Sequence, residues 1–166
     1  MIFRNIIFFL IFCSSNSFSA NSILSVVNDD IITTNQFLKI IKPGSTKDEK
    51  SKVLRIIIDD LLLSQKIKKL QIKPTKKAVD DELNKIALKS NLTIAEIEQL
   101  SNYNEIFLTI YQTLTTQALK DMVIDNEMKK IVDYKPTSQD DLDKLFINWL
   151  ENYRKNSFIE IYEDKL

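Results

Sequence analysis

The apolar residues fall into segments of contrasting period. Ile23 to Val27 is a short, β-branched run, Asn28-Asp29-Asp30 is turn chemistry, and Ile31-Ile32-Thr33 returns as a second strand. Two strands alone are marginal in water, so this hairpin needs a third strand or a covering helix. Thr34 is a candidate N-cap for a short helix through Ile41, which Pro43-Gly44 ends. Ser45 or Thr46 then caps a long helix running to about Leu70. Asp48 and Glu49 favour its N-terminal dipole, and Lys66, Lys68 and Lys69 its C-terminal one. The middle of this helix, Ile56-Ile57-Ile58 and Leu61-Leu62-Leu63, is apolar over more than one face, which predicts cover on two sides.

Beyond Pro74-Thr75 the helical period resumes. A third helix spans about Lys76 to Lys89, with Val79, Leu83, Ile86 and Ala87 on one stripe, and Asn91 can end it in the left-handed conformation. Thr93 and Glu96 form a capping-box pattern opening a short fourth helix, with Ile94, Ile97 and Leu100 facing inward. A fifth helix runs from about Tyr103 to Ile131, its first half crowded with Ile106, Phe107, Leu108, Ile110, Tyr111 and Leu114. Asp133 to Thr137, with Pro136, reads as a linker. Ser138 starts a sixth helix carrying Leu142, Leu145, Phe146, Trp149 and Leu150. Ser157 to Tyr162 alternates like a strand and supplies the third strand that the opening hairpin needs.

The expected fold is therefore mainly α: about six helices with a small antiparallel sheet formed by the N-terminal hairpin and a C-terminal strand. Composition agrees. One Gly and three Pro are too few for the many tight turns of a sandwich or barrel.

The first residues stand apart from this pattern. Arg4, the unbroken apolar run Ile6 to Phe12, and the small residues Ser17 and Ser19 form the pattern of a secretory signal peptide over 1–19. The run is far short of the roughly 20 residues a membrane-spanning helix needs. Residues 20–166 then form one domain, with an N-terminal part over 20–132 and a closing helix and strand over 138–166. The expected location is the periplasm, with no transmembrane segment after cleavage.

Removing residues 1–19 removes Cys13, the only cysteine, and the chain has no His. A mature protein of this composition has no thiolate nucleophile, disulfide, or His-based metal or acid–base site, so most hydrolase and oxidoreductase chemistry falls away. No cofactor is expected and no metal site. Lys plus Arg equals Asp plus Glu at 23 each, so no basic excess attracts a phosphate backbone and nucleic acid is not an expected partner. No Walker motif or glycine-rich loop is present. Asp59-Asp60 and Asp80-Asp81-Glu82 point in different directions on a helix, which predicts solvated faces or salt bridges to nearby Lys rather than a cation site. The basic cluster Lys66, Lys68, Lys69, Lys73, Lys76 and Lys77 could touch an acidic surface, and helix C-terminal charge pairing explains most of it.

The order of elements resembles the core of SurA-type periplasmic chaperones. The residues that carry this are Val26 to Ile32 at the opening hairpin, Leu54 through Ile72 with Asp60 and Gln65 among apolar residues, and Val79 to Leu83. Asn91-Leu92-Thr93 with Glu96 and Leu100, then Trp149-Leu150-Glu151, Arg154 and Phe158 to Ile161, complete the set. The resemblance covers nearly all of 20–166. The family commonly carries parvulin-type isomerase domains before the closing helix, where this sequence has only Asp133 to Thr137. Ile67 and Gln71 replace the Ala and Gly usual there, and Ser101-Asn102 replaces a Gly.

The resemblance implies a non-enzymatic, ATP-independent holdase for unfolded outer-membrane β-barrel proteins or aromatic-rich peptides. The alternative is an adaptor docking on one folded cell-envelope partner, and a homodimer formed by exchanging the terminal helix and strand is a further possibility. The candidate client-binding residues are Tyr103, Phe107 and Tyr111 on one helical stripe, Met122 and Met128 as adaptable apolar contacts, and Tyr153 near the last helix end. Helical spacing favours plain core packing for the aromatic stripe and for both methionines, with Tyr153 balanced between the two. Trp149 is expected as a packing anchor.

Overall fold

In a computed structural model that describes residues 21–131, 136 and 138–166, the chain is mainly α with one small sheet. The elements are β1 (Ile23–Val27), β2 (Asp30–Thr33), α1 (Thr34–Leu38), α2 (Lys47–Leu70), α3 (Lys76–Ser90), α4 (Ile94–Glu98), α5 (Tyr103–Lys130), α6 (Gln139–Lys155) and β3 (Ile159–Ile161). The expected signal peptide and most of the expected linker lie outside the described residues.

The sheet is antiparallel in the order β2-β1-β3, so the opening hairpin gains its third strand from the far end of the sequence. Val26 pairs with Ile31 on one side and Glu160 on the other. The ladder extends past β3, because Asn28 N–H donates to Phe158 O (2.8 Å) and Tyr162 N–H to Leu24 O (3.0 Å). A bulge between Ile23 and Ser25 lets both Leu24 and Ser25 be buried. The Ser25 hydroxyl is satisfied by donating to Glu160 O at 2.8 Å.

Helix starts follow from capping. Thr46, Thr75, Thr93 and Ser138 each accept a hydrogen bond from a backbone N–H of the first turn, and Thr46–Glu49 and Thr93–Glu96 close full capping boxes. At α1 the cap is Thr33 and not the expected Thr34. The reason is Gln36: its Oε1 accepts from Thr33 N–H at 2.9 Å, closing a capping box that fixes the start one residue earlier. Thr34 instead binds Ser22, its N–H donating to Ser22 O at 2.9 Å. The helix stops at Leu38 rather than Ile41. Gln71 and Asn91 cap α2 and α3 in the left-handed conformation, at φ 54° and 52°. Asn102 does not adopt it, with φ −102°. Leu100 was expected to face inward but is exposed, because α4 ends at Glu98 and the residue falls off its stripe.

Three buried clusters hold these elements together. The first joins the sheet to α1 and α2 through Leu24, Val27, Ile32, Phe37, Leu54, Ile58 and Leu62. The second joins α3, α4 and the first part of α5 through Val79, Leu83, Ala87, Ile97 and Ile110. The third joins the end of α2, the second part of α5 and α6 through Leu63, Leu119 and Val123, with Phe146, Trp149 and Leu150 packed against them. Both helices with apolar residues all round, α2 and α5, therefore serve two clusters each, which is why neither reads as a single stripe.

Polar ties fix the hairpin to α2. Gln65 Nε2 donates to Val27 O (3.0 Å) and Asp30 Oδ2 (2.7 Å), while its Oε1 accepts from Asn28 Nδ2 (2.7 Å). Asn28 sits at φ 52° and its Oδ1 accepts from Phe158 N–H at 3.0 Å. The turn, the long helix and the closing strand thus meet at one pair of amides.

Candidate functional site

α2 and α5 share one cluster through Leu63 and Leu119, and an open crevice is lined by both helices. Its volume is about 680 Å³. The α2 wall is Asp60, Leu63, Ser64 and Ile67; the α5 wall runs from Tyr111 to Gln117. The volume falls in the usual range for ligand clefts, and the lining mixes apolar side chains with hydroxyls and amides. Thr115, buried in this wall, is satisfied within its own helix, its Oγ1 donating to Tyr111 O (2.9 Å) and Gln112 O (3.0 Å). Ser64, Gln112, Thr113 and Thr116 lie on exposed turns of the two helices, and the Gln117 amide donates to Asp121 Oδ1 at 2.7 Å.

The aromatic stripe leads into this crevice. Tyr103, Phe107 and Tyr111 step along α5 with ring centroids 6.2 and 6.4 Å apart. Tyr103 packs half-buried against the second cluster, Phe107 is 36% exposed, and Tyr111 lines the crevice. Leu108, beside Phe107, is also exposed. The stripe thus combines core packing at one end with an accessible apolar surface at the other.

The other sequence candidates lie elsewhere. Met122 packs against the third cluster, as core filler. Met128 is half-buried near the end of α5, away from the crevice lining. Tyr153 packs on the first cluster, stacks on Trp149 at 5.3 Å between centroids, and carries Lys66 Nζ 5.4 Å above its ring. It borders a separate, more polar depression beside the hairpin turn, with Asn28, Asp30 and Gln65. Trp149, stacked between Phe146 and Tyr153, is the packing anchor expected of it.

The sequence reading missed the part played by α2. Asp59 was expected to be solvated or paired with Lys; it is held by Arg154 of α6, through Nε–Oδ1 at 2.7 Å and Nη2–Oδ2 at 2.6 Å. The partner lies 95 residues away, beyond the reach of any local pattern. The neighbouring Asp60 turns into the crevice instead. Burial, and then the charge of Asp59, hold its carboxyl above the usual aspartate range. The acids at Asp81 and Glu82 do pair with Lys77 and Lys85 on α3. Among the described residues no group of His, Cys, Asp and Glu is placed to hold a metal, and no helix is long and apolar enough to cross a membrane.

The geometry defines a helical protein with an open, uncharged-to-acidic crevice fed by an aromatic stripe. The chain is similar to the protein named Chaperone SurA from Buchnera aphidicola subsp. Schizaphis graminum (strain Sg). The two are 25% identical over an alignment of 158 residues, which covers 83% of this chain and 35% of that relative. The chain therefore spans about a third of the length of the curated relative it matches. No protein-family model matches.

Proposed function

We propose that this protein is an ATP-independent chaperone that holds unfolded polypeptides, with outer-membrane β-barrel proteins as clients and the periplasm as its compartment. The observation that carries the reading is the α2–α5 crevice with Tyr111 in its lining and Phe107 next to Tyr111, ring centroids 6.4 Å apart. It offers apolar surface to a client side chain and hydroxyls and amides to a client backbone. Such a surface suits weak, reversible and sequence-tolerant binding. The similarity to Chaperone SurA supports the same reading. The protein does this without peptidyl-prolyl isomerase activity, because the sequence between α5 and α6 is too short for an isomerase domain.

The test is light scattering from a denatured outer-membrane β-barrel diluted into buffer with and without the purified protein. Suppression near equal molar ratio is expected. Aggregation that proceeds unchanged beside a folded, helical sample would overturn the proposal and favour an adaptor with one folded partner. Turnover of a proline peptide would overturn the non-catalytic clause alone.

A further inference from the structure

We propose that Asp60 anchors a basic side chain of an extended client segment, and that apolar residues flanking that basic residue fill two crevices that meet at Asp60. This inference rests on the chaperone reading and adds to it a ligand chemistry: an apolar–basic–apolar peptide.

The first crevice is the one between α2 and α5. The second, of about 540 Å³, lies between α1, β2 and α2, lined by Ile31, Phe37, Ile40, Ile57 and Leu61 with Lys39 at its edge. Asp60 lines both. The 3.6-residue period explains how. It sets Ile57 and Leu61 on one side of Asp60 and Ser64, and Leu63 and Ile67 on the other, so a single arc of α2 floors both crevices. Ile40, in the lining of the second crevice, is 59% exposed, and Ile56, one turn before Asp60, 60% exposed.

Charge decides what the face binds. Asp60 is the sole charged residue lining the first crevice, and Lys39 is the only other one lining the second. Asp59, its neighbour, is already paired with Arg154, while Asp60 has no hydrogen bond or ion pair among the described residues. Asp60 is exposed on the ridge shared by the two crevices, where a carboxylate with no partner in the protein can receive a basic side chain from a ligand without first giving up another ion pair. A guanidinium suits it best, since it can donate two parallel hydrogen bonds to one carboxylate. An extended chain places side chains two residues apart on the same face, so apolar residues flanking an Arg reach both crevices together.

The experiment uses fluorescein-labelled peptides of equal length and identical aromatic content, with Arg, citrulline or Glu at the centre, measured by anisotropy against the purified protein. The Arg peptide is expected to bind about two- to five-fold more tightly than its citrulline isostere at low salt. Asp60→Asn should erase that difference while leaving citrulline-peptide affinity in place, and Asp60→Lys should turn the preference towards Glu. Glu98→Gln, an exposed carboxylate on α4, should change nothing. Helical circular dichroism on each variant verifies the fold. Equal binding of all three peptides, or an Arg preference that survives Asp60→Asn, overturns the role of Asp60 and leaves the chaperone reading standing. Failure of every peptide to bind overturns both.

Discussion

Arg154 grips Asp59 with two parallel hydrogen bonds, Nε to Oδ1 at 2.7 Å and Nη2 to Oδ2 at 2.6 Å, and so clamps α6 to α2. Both side chains are about four-fifths buried, at 20% and 19% exposure. That places the pair between an exposed bridge, worth at most about 1 kcal/mol, and a fully buried one, whose rupture costs roughly 3–5 kcal/mol. Arg154→Ala or Asp59→Ala is expected to cost about 2–3 kcal/mol in urea unfolding. Arg154→Lys should recover little of it, since an ammonium cannot reproduce the fork. A double-mutant cycle in which the two losses simply add would refute the clamp.

Leu119 is fully buried where α2, α5 and α6 meet. Leu119→Ala should cost roughly 2–5 kcal/mol through lost transfer energy and the cavity left behind. Its effect on client binding should follow the folded fraction alone. Met122→Ala should behave in the same way with a smaller loss. Tyr111→Ala, in contrast, is expected to lower affinity for aromatic-rich peptides several-fold with stability nearly unchanged. Denaturation curves and peptide titrations on the same samples separate the two behaviours.

Gln71 ends α2 at φ 54°, a conformation that disfavours any side chain with a Cβ. Gln71→Gly should raise stability by about 0.5–1 kcal/mol, the relief of left-handed strain less the added flexibility of the unfolded chain. An unchanged or lowered urea midpoint would show that the Gln71 side chain contributes more than the backbone loses.

Acid should loosen the helix ends before the core. The carboxyls of Glu49 and Glu96 are held below their usual range, first by the backbone N–H groups of Thr46 and Thr93 and then by the threonine hydroxyls. Asp143 is held down first by its hydrogen bond from Lys120 and then by that from Gln139. A group whose folded value is depressed stabilises fully above its unfolded value, near roughly pH 4, and loses that contribution as pH falls through the folded one. Stability is therefore expected to fall with pH below about 4. The Glu49→Gln, Glu96→Gln double variant should show a flatter decline by circular dichroism.

Much of this architecture was legible from local pattern, and the places where it was not share a cause. Thr46, Thr93, Asn91 and the Asn28 turn act within a few residues, so the sequence places the element ends they control. The choice between Thr33 and Thr34 turns on Gln36, whose side chain closes a capping box with Thr33. Leu100 was misplaced because a helix of five residues ends before its stripe is complete. The candidate site was less legible. Tyr111 lies in the crevice lining, one helical turn from Phe107 as its spacing requires, but Asp60 acquires its setting from helix packing, beside an Asp59 held by Arg154. Met128 lies outside the crevice lining, and Tyr153 borders the separate depression beside the hairpin turn.

α5 joins the second cluster at Ile110 and the third at Leu119, and between them Thr115 turns its hydroxyl back onto the carbonyls of Tyr111 and Gln112. Bonds of this kind bend helices. Tyr103 lies twelve residues upstream of that point, a lever arm of roughly 18 Å at the helical rise. A flexure of about 10° at Thr115 would therefore carry Tyr103, and the α3–α4 lobe packed beside it, through roughly 3 Å. Each cluster keeps its own packing in such a motion, and the angle between the two is set by the curvature of one helix.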